Sequence, residues 1–106
     1  GLGDIGRLFP DDDPRYEGAD SMMLLAKVAR MAAERGYRMV NCDCVLIAER
    51  PKISGASGEM ARNLANAMSL DAGAVGVRGK TNEGMDSYGR GEGMASFVVM
   101  LVEQVI

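Results

Sequence analysis

Between Ser21 and Arg35 the apolar positions recur at helical intervals. Leu24, Val28, Met31 and Ala32 stand at i, i+4, i+7 and i+8, the spacing of one buried helix face. Asp20 or Ser21 can cap this helix and Gly36 can end it. The period then changes to two. From Tyr37 to Ala48, one face carries Val40, Cys42, Cys44, Leu46 and Ala48, and the other carries Met39, Asn41, Asp43, Val45 and Ile47. That alternation predicts a strand with one core-like and one mixed face. The loop "ERPKISGAS" follows, and Ser57 then caps a second helix to about Met68, with Met60, Leu64, Ala67 and Met68 on its buried face. Val75 and Val77 alternate with Gly76 and Arg78 in a short strand. In the apolar run from Met94 to Ile106, the valines and phenylalanine favour a final strand.

Helices alternating with strands predict a single α/β domain over residues 1–106, an α+β sandwich with a mixed sheet and helices packed on one face. The first twenty residues, with "GLGDIG" and "FPDDDP", read as an ordered, turn-rich entry. Residues 80–93 join the last two strands. The stretch exceeds the roughly two to five residues of a hairpin connection. Its length and charge point to function.

Composition narrows the classes. The chain is 47% apolar and 25% charged, with a formal net charge of -3. It is globular in character and carries no basic field for nucleic acid. No apolar run is long enough to cross a bilayer, and the N-terminal residues lack a signal-peptide pattern. Cys42 and Cys44, two apart on a strand, read as free thiols. There is no histidine, the commonest transition-metal ligand.

Four charged stretches each have a plain reading beside a functional one. Asp4 in "GDIG" either bonds its own backbone or accepts a bond from a substrate hydroxyl. Asp11, Asp12 and Asp13 are either a solvated run or are held by the flanking prolines with one carboxylate turned inward. In "AERPKIS", Lys52 is either solvated or joins turn amides to hold a phosphate. In residues 80–93, Lys80, Thr81 and Glu83 offer an ammonium, a hydroxyl and a carboxylate, a set suited to a magnesium–phosphate ligand. Arg90 and Glu92 can form a plain surface pair. None of the four matches a standard phosphate-loop motif.

Taken in order, "LGDIGRLFPDDDPRYEGADS", "NCDCVLIAERPK" and "GKTNEGMDSYGRGEG" closely resemble the 2-C-methyl-D-erythritol 2,4-cyclodiphosphate synthase family, from Gly1 to about Val102. The resemblance implies conversion of 4-diphosphocytidyl-2-C-methyl-D-erythritol 2-phosphate to the 2,4-cyclodiphosphate with release of CMP. It also implies a homotrimer with sites between subunits, a zinc ion, and a magnesium or manganese ion. By resemblance, Asp4, Ile5 and Gly6 hold the methylerythritol hydroxyls. Phe9, Pro10, Asp11 and Asp13 form a second substrate-contacting segment. Ala48, Arg50, Pro51, Lys52 and Ile53 grip the cytidine. Lys80, Thr81 and Asn82 hold phosphate, and Glu83 serves the magnesium. Asp4, Thr81 and Glu83 are the catalytic candidates. Arg90, paired with Glu92, faces the trimer axis, where some members hold an isoprenoid diphosphate. No nucleic acid or membrane partner is implied. The expected compartment is the cytoplasm, or a plastid where a transit peptide has been removed.

The family's zinc ligands, an Asp-x-His pair and a later histidine, precede the "GDIG" turn with which this sequence opens. The sequence is therefore read as the C-terminal larger part of such a domain. The alternative is a shortened, non-catalytic trimeric module for a cytidine nucleotide or an isoprenoid diphosphate. The purified 106-residue chain is expected neither to turn over nor to hold zinc. A CMP-release assay with metal analysis on one preparation checks this, and normal turnover with bound zinc contradicts it.

Overall fold

The computed structural model describes residues 1–105. In chain order the elements are α1 (Ile5–Leu8), α2 (Ser21–Glu34), β1 (Tyr37–Ile47), α3 (Ser57–Met68), β2 (Val75–Lys80), α4 (Asp86–Gly89) and β3 (Ala95–Gln104). Single 3-10 turns lie at Pro14–Tyr16 and Ala72–Ala74. Ile106, the end of the expected final strand, lies outside the described residues.

The sheet has three strands in the order β2-β1-β3. β1 pairs parallel with β2 and antiparallel with β3. A parallel pair needs a crossover, which α3 supplies. β2 and β3 flank β1 and do not pair with each other. Residues 80–93 therefore span the end of β1, a gap of about 10 Å, instead of closing a hairpin. That span accounts for much of their length.

α2 begins where expected. The Met22 N–H donates to Asp20 Oδ1 at 2.9 Å, and Gly36 follows with φ +84°. α3 departs from expectation at its start. Ala56 is its N-cap residue, and Ser57 is already helical, its hydroxyl donating to the Ser54 carbonyl at 3.3 Å. Its buried face is also turned from the expected one. Ala65 and Met68 are buried, with Ala61 and Leu64 beside them. The small Ala61 and Ala65 let the helix approach the sheet closely, which a search for large apolar residues overlooks.

Cys42, Ala65, Met68 and Val75 form the centre of the core. Met39 also packs there, although simple alternation put it on the face opposite Cys42. An irregularity in the β1–β3 register between Met39 and Asn41 is the cause: the extra residue, Val40, shifts the phase. Cys42 and Cys44 are buried free thiols, as expected, and burial pushes both thiol pKa values up. On the opposite face of the sheet, Phe97, Val99 and Leu101 are 63%, 76% and 55% exposed. They lie opposite Val45, Asp43 and Asn41, and an Arg78–Asp43 ion pair crosses from β2 to β1 on that face.

The N-terminal segment is held by its own side chains. Asp4 caps α1, its Oδ1 accepting the Arg7 N–H at 2.8 Å. Phe9 is buried and meets Tyr16 edge to face at 5.1 Å. The Lys27 ammonium of α2 lies 5.3 Å from the Tyr16 ring, a cation–π contact that ties the segment to the helix. Asp13 caps the Pro14–Tyr16 turn and binds Arg15 through both carboxylate oxygens. The Arg15 hydrogen bonds hold the Asp13 carboxyl below the ordinary aspartate range.

Two outcomes follow from this packing. Ala65→Leu overfills the α3–sheet contact and should lower unfolding stability by about 1–3 kcal/mol, read as a lower urea midpoint at unchanged slope. A lowered folded-state carboxyl pKa stabilises above the unfolded value, and that contribution is lost as pH falls through the folded value. Arg15→Ala should therefore move the Asp13 titration upward toward the ordinary aspartate value, followed by carboxyl-carbon NMR.

Candidate active site

The parallel pairing of β1 and β2 brings two of the four charged stretches together. Ile47 stands opposite Lys80, and the Ala48 N–H donates to the Lys80 carbonyl at 3.0 Å, one step beyond the strand. "AERPKIS" and "KTNEG" thus leave the sheet side by side at the carboxyl ends of parallel strands, where α/β sheets place ligands. Ile47 also stands opposite Ala95, so residues 90–93 return to the same end.

Within the first stretch, Ala48 is buried and Ile53 covers β2. A Cβ on Gly79 would lie only 2.5 Å from the Ile53 Cβ, so this close approach requires glycine. The Arg50–Pro51 peptide is cis. The Arg50 guanidinium approaches Gly91, 3.8 Å from where a Cβ would stand. Arg50, Lys52 and Lys80 are exposed, and none pairs with a carboxylate among the described residues. Three uncompensated cations at one edge attract phosphate.

The second stretch is a tight loop. Thr81 Oγ1 accepts the Glu83 N–H at 3.4 Å. Asn82 is half-buried and donates its amide to the Met85 carbonyl at 3.0 Å, so part of its bonding capacity serves the turn. Glu83 and Asp86 adopt left-handed backbone, with φ 54° and 53°. For a residue with a side chain this costs about 1–2 kcal/mol. The Glu83 carboxylate is exposed and makes no ion pair or hydrogen bond among the described residues. Arg90 binds Glu92 bidentately at 2.8 and 3.2 Å.

The N-terminal candidates do not join this cluster. No hydrogen bond or ion pair links residues 1–20 to residues 48–54 or 80–93 among the described residues. Asp4 spends one oxygen on its helix cap, and Ile5 and Gly6 are exposed on α1. Phe9 supports the segment from inside, and Pro10 is half-buried. Asp11 is exposed and without a hydrogen-bond partner among the described residues, whereas Asp13 is committed to Arg15. Within a single chain the two groups of candidates are not bonded to each other among the described residues.

The donor sets differ in what they can hold. Glu83 offers one carboxylate beside a phosphate-attracting edge, which suits magnesium, an ion that takes one or two carboxylates and completes its shell with phosphate oxygens and water. Zinc finds no matching ligand set: the sequence has no histidine, and no group of three Cys, Asp or Glu side chains converges among the described residues. Sequence reasoning passed over Glu49. Glu49 is half-buried, and its Oε2 is closed to solvent with no hydrogen-bond partner among the described residues. Nothing in the linear pattern marks it.

The YgbB family model matches residues 1–103. A 2-C-methyl-D-erythritol 2,4-cyclodiphosphate synthase of Halorhodospira halophila is 52% identical over 103 residues, covering 97% of this chain and 63% of that protein. The corresponding synthase of Desulfosudis oleivorans is 45% identical, with 96% and 61% covered. The chain thus spans less than two thirds of the length of these relatives. The bifunctional IspDF of Campylobacter jejuni superposes with a TM-score of 0.92 at 35% identity, over 98% of this chain and 28% of that one. IspF of Plasmodium falciparum, solved as a CDP complex, superposes at 0.83 and 26% identity over 98% and 62%. Sequence and backbone agree over nearly the whole chain, and it belongs to the YgbB family.

Proposed function

We propose that the protein carrying this segment closes 4-diphosphocytidyl-2-C-methyl-D-erythritol 2-phosphate into the 2,4-cyclodiphosphate. An oxygen of the 2-phosphate attacks the β-phosphorus, the bond from that phosphorus to the bridging oxygen breaks, and CMP leaves. The observation that carries this reading is the meeting of Arg50, Lys52, Lys80, Thr81 and Glu83 at one end of the parallel pair. The CDP complex of a related protein supports it.

In this reading Lys52 and Lys80 draw in the diphosphate, and the Thr81 hydroxyl donates to a phosphate oxygen. Glu83 holds a magnesium or manganese ion, which when bound neutralises charge on the diphosphate. Asp4, with an oxygen still free, accepts from the methylerythritol hydroxyls. The work is mainly positioning and charge stabilisation, as in phosphoryl transfer generally. The two groups of candidates come together between neighbouring copies in a homotrimer, and the exposed Phe97, Val99 and Leu101 give such an assembly an apolar face to bury. Arg90, already fixed by Glu92, faces the interior of that assembly. The cytoplasm is the proposed compartment; no helix among the described residues is long and apolar enough to cross a membrane.

The test uses the full-length protein. CMP release should require a divalent cation. Glu83→Gln should lower kcat about 100-fold or more, and light scattering should give the mass of three chains. Nucleotide binding without CMP release would favour a non-catalytic binding module instead, and an unaffected Glu83→Gln enzyme would remove Glu83 from the mechanism.

A further inference from the structure

Asn82 is the residue beside Glu83 that the proposed reaction leaves unused. It opens a turn that is closed by the Met85 N–H donating to the Asn82 carbonyl at 2.9 Å. Both central residues have positive φ, Glu83 at 54° and Gly84 at 77°. Turns of this kind suit glycine, asparagine or aspartate at those places. Glutamate fits the first of them poorly, so the turn needs support from its surroundings. Two contacts supply it. The Asn82 side-chain amide reaches across the turn to the Met85 carbonyl at 3.0 Å, and the same carbonyl accepts the Gly89 N–H at 2.9 Å. Gly89 also lies directly on Gly84, where a Cβ on Gly89 would stand 2.1 Å from the Gly84 carbonyl carbon. No residue with a side chain fits there. Asn82 and Gly89 are half-buried, whereas Glu83 is exposed. The support therefore fixes the Glu83 backbone and leaves its carboxylate open to solvent.

We infer that Asn82 is a positioning residue for the divalent-cation site. With Gly89 behind the turn, its amide holds Glu83 in left-handed backbone, so that the carboxylate is placed before the cation arrives. Asn82 acts through Glu83 and not on phosphate. The inference rests on the metal role given to Glu83 above. A ligand fixed in advance loses little freedom on binding. One that must first be ordered binds more weakly, in proportion to how seldom it visits the competent conformation. The loss of one hydrogen bond sets the scale, about 5- to 10-fold in metal affinity.

The test uses the full-length protein and its Asn82→Ala, Gly89→Ala, Glu83→Gln and Asn82→Ala/Glu83→Gln variants. Manganese binding in the presence of CDP is followed by electron paramagnetic resonance, with binding of manganese to free CDP subtracted. CDP binding without metal is followed by calorimetry. Asn82→Ala should weaken manganese by that factor, and Gly89→Ala at least as much. Both should leave metal-free CDP affinity within about twofold of wild type, which also shows that the fold is intact. The magnesium concentration for half-maximal CMP release should rise by the same factor, with kcat at saturating magnesium within about threefold. On the Glu83→Gln background, Asn82→Ala should weaken manganese no further, because the two act as one unit. Unchanged manganese affinity in Asn82→Ala, beside a clear loss in Glu83→Gln, overturns this inference alone. So does a loss of metal-free CDP affinity that persists on the Glu83→Gln background, which would make Asn82 a direct phosphate contact. Unchanged manganese affinity in Glu83→Gln overturns the metal role of Glu83, and this inference with it.

Discussion

The parallel alignment of β1 with β2 is the constraint on which the rest depends. Two parallel neighbours must be joined by a crossover, so α3 lies against the sheet and fills the core with Ala65 and Met68. The same alignment makes both strands end together, at Ile47 and Lys80. Two loops separated by more than two dozen residues then share one edge of the molecule. Because β3 must reach the other side of β1, residues 80–93 pass across that edge as well. The charged loops proposed for the site collect there because the topology directs three chain segments to it.

Elements with a strong local period were legible in the sequence. The stripe on α2, the alternation on β1 and the valine-rich β3 each carry their signal within a dozen residues. Features set by distant partners were not. The phase shift at Val40 arises from how β1 meets β3, so Met39 faces the core against its own alternation. Which side of β1 each strand occupies is likewise a property of the sheet. The charged loops were visible as composition, and their order along the chain carried the family resemblance. Their adjacency rests on one register, and no local pattern marks the closed Glu49 oxygen.

Like residues in one run have unlike duties. Asp11 is left free while Asp13, two positions on, is locked to Arg15 and caps a turn. Glu83 occupies a left-handed backbone position and Glu92 is clasped by Arg90. Carboxylates that hold the scaffold are paired, and the one proposed for metal is not. An acidic count alone would treat them as equals.

The uncovered face of the sheet, with Val99 three quarters exposed, changes what stability means for this chain. Whatever packs on that face binds the folded form and not the unfolded one, and so enters the folding equilibrium by mass action. If a second copy of the chain packs there, as proposed above, resistance to heat or urea rises with protein concentration. In that case stability is a property of the population of molecules instead of a constant of each one.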